Sequence, residues 1–309
     1  MRRAAFRFFA LSVNCGLLVV LGMAAEAAAA VDVTHLAVTS NTVLADFVAN
    51  VAGGKFGVRA LAPAGTDPHT FQPTPASIRT LSQARVVFFN GAGLEEWWDR
   101  TIRSVKKPEV PVIELSQGLA TLGISGANFG RHDQAEARDP HVWLDPILVK
   151  AYVDKIRDAV SRADGANAGF YAERARAYQA ELDDLDVWIR SELQKVPTPR
   201  RKLVTFHNAF RYFAHRYGLA VKGYVVESPG KEPSAKALAD LTRQIKQEQI
   251  PAVFAEADFN AKLLETLARD AGVRVVTNLY DGSLSSGPPA DTYINMMRHN
   301  VTQIVNALK

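Results

Sequence analysis

Cysteine is nearly absent from this chain of 309 residues, and Cys15 is the only one. It lies in an N-terminal segment that we expect to be removed, so the mature chain can form no disulfide and offers no thiolate to a metal ion. Any metal site would therefore have to use imidazole and carboxylate ligands.

The chain also has little excess charge. Its formal net charge is +4, and Arg2, Arg3 and Arg7 carry three of those charges. The rest of the chain is nearly neutral, so the pI of about 9.1 does not indicate nucleic-acid binding. The composition, with 48% hydrophobic and 22% charged residues, is typical of a globular protein, and the length leaves room for two domains.

The N-terminus has the three parts of a secretory signal peptide. A basic segment at 1–7 precedes an apolar stretch at 8–25, and small residues at 28–30 allow cleavage. An uncleaved membrane anchor is the alternative, because the apolar stretch is of borderline length. We expect cleavage and a periplasmic location. Residues 12–14 form a poor lipobox before Cys15, so we expect no lipid anchor.

Apolar runs alternate with helical stretches in both halves of the chain, which predicts α/β lobes with mainly parallel sheets. The predicted strands are 31–38, 55–61, 85–89 and 110–114 in the first half, and 202–206, 221–226, 252–255 and 273–279 in the second. The predicted helices are 41–51, 208–217, 234–248, 262–271 and 292–308.

One long amphipathic helix separates the two halves. Its apolar stripe runs from Tyr171 to Ile189, and Pro197 and Pro199 end the pattern. A single rigid linker predicts only small movements between the lobes. The predicted organisation is a signal peptide at 1–30, an N-terminal lobe at 31–166, a linking helix at 167–198 and a C-terminal lobe at 199–309.

Two histidines each follow an Asp-Pro dipeptide. His69 lies in GTDPHTFQPTP and His141 in DPHVWLDP. Prolines pre-order such loops, so a ligand there loses little entropy on binding. The alternative is a pair of Asx turns with incidental histidines.

A third histidine and an aspartate follow predicted strands of the second half. His207 comes after 202–206 and Asp281 after 273–279, and parallel sheets bind ligands at the carboxyl ends of their strands. A buried or capping histidine and an Asp-Gly turn are the alternatives. Together with His69 and His141 they make a set of three imidazoles and one carboxylate. Zinc accepts such a set, whereas manganese prefers oxygen.

The remaining histidines have ordinary explanations. His35, His215 and His299 are expected to be solvated or packed, and His132 is either a weak metal-capture residue or part of a plain surface loop. Three glutamates, Glu95, Glu227 and Glu256, are candidates for hydrogen bonds to the ligands, with helix caps or surface ion pairs as the alternative. The tryptophans at 97, 98 and 143 are expected in the core or at the rim of the site.

The chain resembles the zinc and manganese substrate-binding proteins of ABC transporters, a family that includes periplasmic zinc-uptake receptors and metal-binding adhesin lipoproteins. The resemblance covers nearly the whole mature chain. It rests on GTDPHTFQPTP (65–75), GAGLEEWWDR (91–100), DPHVWLDP (139–146), TFHNAF (205–210), ESPGKEPSAKALADL (227–241) and LYDGSL (279–284). It implies two α/β lobes joined by one long rigid helix, a metal ion in the cleft between them, and ligands at His69, His141, His207 and Asp281.

The resemblance also implies a cargo and a partner. Relatives that carry manganese or iron usually have glutamate where this chain has His207, which favours Zn²⁺ over Mn²⁺, although residues 118–138 lack the His-rich loop of many zinc receptors. The implied function is capture of zinc and its delivery to an ABC permease in the inner membrane, with a manganese receptor as the alternative. A periplasmic metallochaperone is a further candidate partner, and we expect a monomer that binds no nucleic acid.

Two functions of other classes fit the sequence less well. A zinc hydrolase would need an open coordination position and a general base, but the chain has no His-Glu-x-x-His helix and no glutamate directly beside a ligand. An adhesin would need a binding module, and no distinct one is evident. We therefore expect no enzymatic activity.

Overall fold

The first lobe is built on a parallel sheet of short, largely apolar strands. The computed structural model describes residues 35–105, 109–123, 138–257 and 259–309. The strands are β1 (Leu36–Thr39), β2 (Gly57–Ala60), β3 (Val86–Phe89) and β4 (Val112–Glu114), in the order β2-β1-β3-β4. The helices of this lobe are α1 (Thr42–Ala52), α2 (Pro75–Ser82), α3 (Trp98–Val105) and α4 (Pro146–Ala163).

The second lobe repeats the topology of the first. Its strands are β5 (Lys202–His207), β6 (Ala220–Val226), β7 (Ala252–Glu256) and β8 (Arg274–Leu279), all parallel, in the order β6-β5-β7-β8. The helices are α6 (Arg211–Tyr217), α7 (Ala235–Gln247), α8 (Lys262–Ala271) and α9 (Tyr293–Leu308). The predicted α/β class with two similar lobes is confirmed.

A single helix, α5 (Ala168–Gln194), links the lobes. Its 27 residues span roughly 40 Å. The predicted stripe from Tyr171 to Ile189 is buried, and Leu193 continues it. The helix packs against α1 and α4 of the first lobe and against α6 and α9 of the second. It therefore connects the lobes through packing along its length as well as through the chain.

One continuous core extends through both lobes. Phe47 of α1 lies 6.3 Å from Tyr152 of α4 and 4.9 Å from Tyr293 of α9, measured between ring centroids. The same cluster of buried side chains includes Leu203 of β5 and Tyr178 of α5. Because close-packed interiors resist shear, the shared core supports small rather than large lobe movements.

The structure differs from the sequence prediction at several element boundaries. The predicted helix 208–217 begins only at Arg211, because β5 extends through His207 and Ala209 N donates to the His207 carbonyl at 3.0 Å. Helices α2, α3 and α4 were not assigned from the sequence. Residues 1–30 and His132 lie outside the described residues. Within the described part of the chain, no helix combines the length and apolar character needed to cross a membrane.

Candidate metal centre

The first Asp-Pro-His segment forms a tight turn after β2. Asp67 Oδ1 accepts from His69 N at 3.0 Å, and Asp67 Oδ2 accepts from Thr70 Oγ1 at 2.7 Å. Trp97 Nε1 donates to the Pro68 carbonyl at 2.9 Å, which ties the turn to the segment before α3. The turn therefore fixes the backbone that carries the His69 imidazole.

The second Asp-Pro-His segment has the same construction. Asp139 Oδ1 accepts from His141 N at 3.0 Å and also lies 2.8 Å from His141 Nδ1. A proton on Nδ1 then points at the carboxylate, which leaves the Nε2 lone pair free for a metal ion. Asn90 Nδ2 donates to the Pro140 carbonyl at 3.0 Å and holds the segment against the end of β3.

The second lobe contributes His207 and Asp281. His207 is the last residue of β5, and Asp281 follows β8 by two positions. His207 Nε2 lies 3.2 Å from Asp281 Oδ2, and His207 Nδ1 lies 3.5 Å from Glu256 Oε1 at the end of β7. In both His141 and His207, Nδ1 thus faces a carboxylate and Nε2 faces the other candidate ligands.

The three imidazoles come together in the interior. His141 Nε2 lies 3.2 Å from His69 Nε2 and 3.3 Å from His207 Nε2, and one ligand atom of each histidine lies within 4.8 Å of the others. Donor atoms around a tetrahedral zinc with bonds of ~2.1 Å are about 3.4 Å apart. The separations therefore match a shell that could close on one ion with small side-chain adjustments. His141, His207 and Asp281 are buried, whereas His69 is partly exposed.

Electrostatics around the cluster favour a cation. Burial, together with the neighbouring imidazoles, holds the pKa of His69 well below its usual value, and burial also lowers the pKa of His141. For His207, burial lowers the pKa, but Asp281 and Glu256 outweigh it and raise the pKa to about 9. Burial raises the pKa of Asp281 to about 7 against the opposing effect of His207. His69 and His141 thus favour the neutral form that binds metal, and a dication can replace the proton that the buried carboxylates stabilise on His207.

The glutamates singled out in the sequence have distinct contacts. Glu256 is 1% exposed and faces His207 Nδ1. Glu95 is also buried and accepts from Ser40 Oγ at 2.6 Å and from Asn90 N at 2.9 Å, so it supports the segment that holds Pro140. Glu227 accepts from the side chain of Asn208, next to His207, at 3.2 Å. None of these contacts is a helix cap or a surface ion pair.

Trp97, Trp98 and Trp143 are buried, as predicted. Trp143 lies at the rim of the site, where its Nε1 donates to the Asp281 carbonyl at 2.5 Å. The three described histidines outside the cluster have ordinary environments. His35 packs on Phe56, His215 is exposed on α6, and His299 Nε2 contacts the Asn278 carbonyl at 2.8 Å.

Sequence reasoning missed the role of Asp139 as the partner of His141 Nδ1. The signal for it was local, since an aspartate stands two positions before each histidine of the two repeated segments.

A family model described as zinc-uptake complex component A periplasmic matches residues 37–307. The manganese-binding lipoprotein MntA of Halalkalibacterium halodurans is 33% identical over 272 residues, which cover 88% of this chain and 87% of the relative. The metal ABC transporter substrate-binding lipoprotein FimA of Streptococcus parasanguinis is 28% identical over 278 residues, 88% of each chain. In structure, the chain is similar to the periplasmic zinc binding protein TroA of Treponema pallidum. That protein is 31% identical with a TM-score of 0.79, and the match covers 89% of this chain and 99% of TroA.

These relatives correct one prediction. The expectation that a lipid anchor is absent is wrong, because both curated relatives are named lipoproteins. The poor match of residues 12–14 to a lipobox before Cys15 was therefore not a sufficient reason to expect that no anchor is present. Cys15 itself lies outside the described residues.

The family assignment also separates a receptor from an enzyme. A receptor of this kind binds its cargo and passes it to the membrane components of an ABC transporter, whereas a metalloenzyme keeps a coordination position open for chemistry. With its model matching residues 37–307, the chain belongs to the ZnuA family, the metal-binding substrate-binding proteins of ABC transporters, and it is not an enzyme.

Proposed function

We propose that the protein captures Zn²⁺ outside the cytoplasm with His69, His141, His207 and Asp281 and delivers it to an ABC permease. The observation that carries the proposal is the convergence of three Nε2 atoms, at 3.2 Å and 3.3 Å, with a carboxylate 3.2 Å from one of them. Four protein ligands satisfy the tetrahedral preference of zinc and leave no position for catalysis.

The donor set favours zinc over manganese. Imidazole nitrogen suits zinc, copper and nickel, whereas manganese prefers sites rich in oxygen. Copper would bind such a site more tightly by intrinsic preference, so metal supply decides against it. Manganese remains the second candidate, because the relative MntA is named manganese-binding while TroA is named zinc binding.

The proposed location and assembly follow from the function. The protein meets its metal outside the cytoplasm, and it acts as a monomer. The site is largely buried, so an incoming ion needs ligands that reach solvent, and His69 is the partly exposed member of the set. A periplasmic metallochaperone is a further proposed partner for loading.

Metal content and competition titration test the cargo. Protein isolated from its native compartment should contain close to one zinc per chain, and the metal-free protein should bind zinc in preference to manganese. His207→Ala should weaken zinc binding at least tenfold, or about 1.4 kcal/mol. His215→Ala, which removes an exposed imidazole from α6, is the matched control and should bind normally. Manganese retained in preference to zinc would overturn the choice of metal, and unchanged zinc affinity in His207→Ala would overturn the ligand set.

A further inference from the structure

The loop that carries Asp281 is held by the second lobe up to residue 280 and by the first lobe from residue 281. Tyr280 is held by α9: its N–H donates to Asn300 Oδ1 at 2.9 Å, and Asn300 Nδ2 donates to its carbonyl at 2.5 Å. One residue later, the Asp281 carbonyl accepts from Trp143 Nε1 of the first lobe. Asp281 thus belongs to the second lobe by sequence but touches the first.

The residues after Asp281 continue this attachment. Gly282 packs so closely on Pro68 that a Cβ atom there would lie 2.7 Å from Pro68 Cδ. Ser283 Oγ accepts from Gly65 N at 2.8 Å. The loop 281–284 therefore rests against the turn that carries His69.

A hydroxyl at the start of α1 completes the contact. Thr42 Oγ1 accepts from Leu284 N at 2.8 Å and lies 3.4 Å from Ser283 Oγ. Leu284 is 5% exposed and Ser283 4%, so water can replace these bonds only if the loop moves. A buried N–H that loses its acceptor is costly, which makes Thr42 an effective anchor.

We infer that Thr42 and Ser283 are positioning residues that hold the loop 281–284 on the first lobe and thereby fix the Asp281 carboxylate for the metal. The inference rests on the proposed ligand set. It divides the four ligands into three held by the first lobe, His69, His141 and Asp281, and one, His207, on the second sheet. Neither positioning residue is itself a ligand.

This arrangement has a consequence for affinity. If the loop detaches for part of the time, the apparent dissociation constant rises in inverse proportion to the fraction of the protein in which the loop stays attached. Loss of the Thr42 acceptor should therefore act mainly on metal release, because Asp281 leaves the ion whenever the loop detaches. The overall fold should be little affected, since only the attachment of a loop is lost.

The test compares Thr42→Val, which keeps the shape but removes the acceptor, with Thr42→Ser, which keeps the hydroxyl. Stopped-flow measurements with the full mature chain record the release of zinc into excess chelator. Release should be roughly tenfold faster in Thr42→Val and near wild type in Thr42→Ser. Thr302→Val is the matched control, because that exposed hydroxyl donates to the Arg298 carbonyl within α9, away from the loop 281–284. Metal-free melting should be similar for all three variants.

Two further variants separate the possible failures. Ser283→Ala should also release zinc faster, and it replaces Thr42→Val should that variant fail to fold. Asp281→Ala reports on the ligand itself: wild-type zinc affinity there would refute the ligand set. Weakened binding in Asp281→Ala together with wild-type release in Thr42→Val and Ser283→Ala would refute only the positioning role. Equal acceleration in Thr302→Val, or no rescue by Thr42→Ser, would refute it as well.

Discussion

Substitution of Gly282 by alanine should weaken metal binding through steric displacement alone. The new Cβ would lie 2.7 Å from Pro68 Cδ and 3.0 Å from Pro68 Cγ, whereas ordinary contacts fall at 3.4–4 Å, so one of the two loops must move by about 1 Å. Either movement displaces a proposed ligand, Asp281 on one side or His69 on the other. Metal–ligand distances tolerate only about ±0.2 Å, so we expect zinc affinity to fall ~10–100-fold, or about 1.4–2.8 kcal/mol.

Gly287→Ala is the control for this experiment. Gly287 lies in the same segment, but a Cβ there would meet nothing within 4 Å. Zinc competition titrations of the two variants, with metal-free melting to verify folding, separate displacement from a general effect of alanine. Wild-type affinity in Gly282→Ala would show that the contact with Pro68 does not position the ligands, and so would an equal loss in Gly287→Ala.

Three further predictions concern stability and motion. Burial raises the pKa of Asp46 to about 6. The protonated carboxyl therefore stabilises the folded state fully below pH ~3.8, and this stabilisation is lost as the pH rises through 6. Asp46→Asn should therefore raise the free energy of unfolding by about 1–2 kcal/mol at pH 7–8, allowing for its partial exposure, and denaturant titrations should show no gain near pH 4. Leu182→Ala in α5 should lower the free energy of unfolding by about 2–5 kcal/mol and leave a single unfolding transition. Val187→Ala, at a position 67% exposed, should lower it by almost nothing. Two separate transitions would contradict the shared core. Small-angle scattering should give nearly the same radius of gyration with and without metal, and marked compaction on metal binding would contradict the rigid linkage.

The alternation of strands and helices in the second half was predictable because its apolar runs are short, continuous and separated by clear helical patterns. The linking helix was equally clear, since the stripe from Tyr171 to Ile189 has one consistent spacing. The first half was harder. Helices α2 and α3 have only eight residues each, too few for a reliable period, and α4 was missed even though Val149, Val153, Ile156 and Val160 lie on one buried face.

The ligand candidates could be chosen from the sequence because each follows a predicted strand or an Asp-Pro dipeptide. Their convergence could not be derived from spacing, since His69 and His141 are 72 residues apart and meet only through the packing of the first lobe. Hydrogen bonds such as Leu284 N to Thr42 Oγ1, which span 242 positions, leave no local signal either. The attachment of Asp281 to the first lobe therefore became visible only in the structure.

X-ray absorption at the zinc edge can show whether three imidazoles and one carboxylate bind a single cation. Zinc-loaded protein should give a four-coordinate shell at about 2.0–2.2 Å with the scattering pattern of three imidazole rings and one oxygen. The same measurement on His207→Ala should lose one ring. A shell of five or six oxygens, or one without imidazole scattering, would show that the three histidines and Asp281 do not bind the ion together.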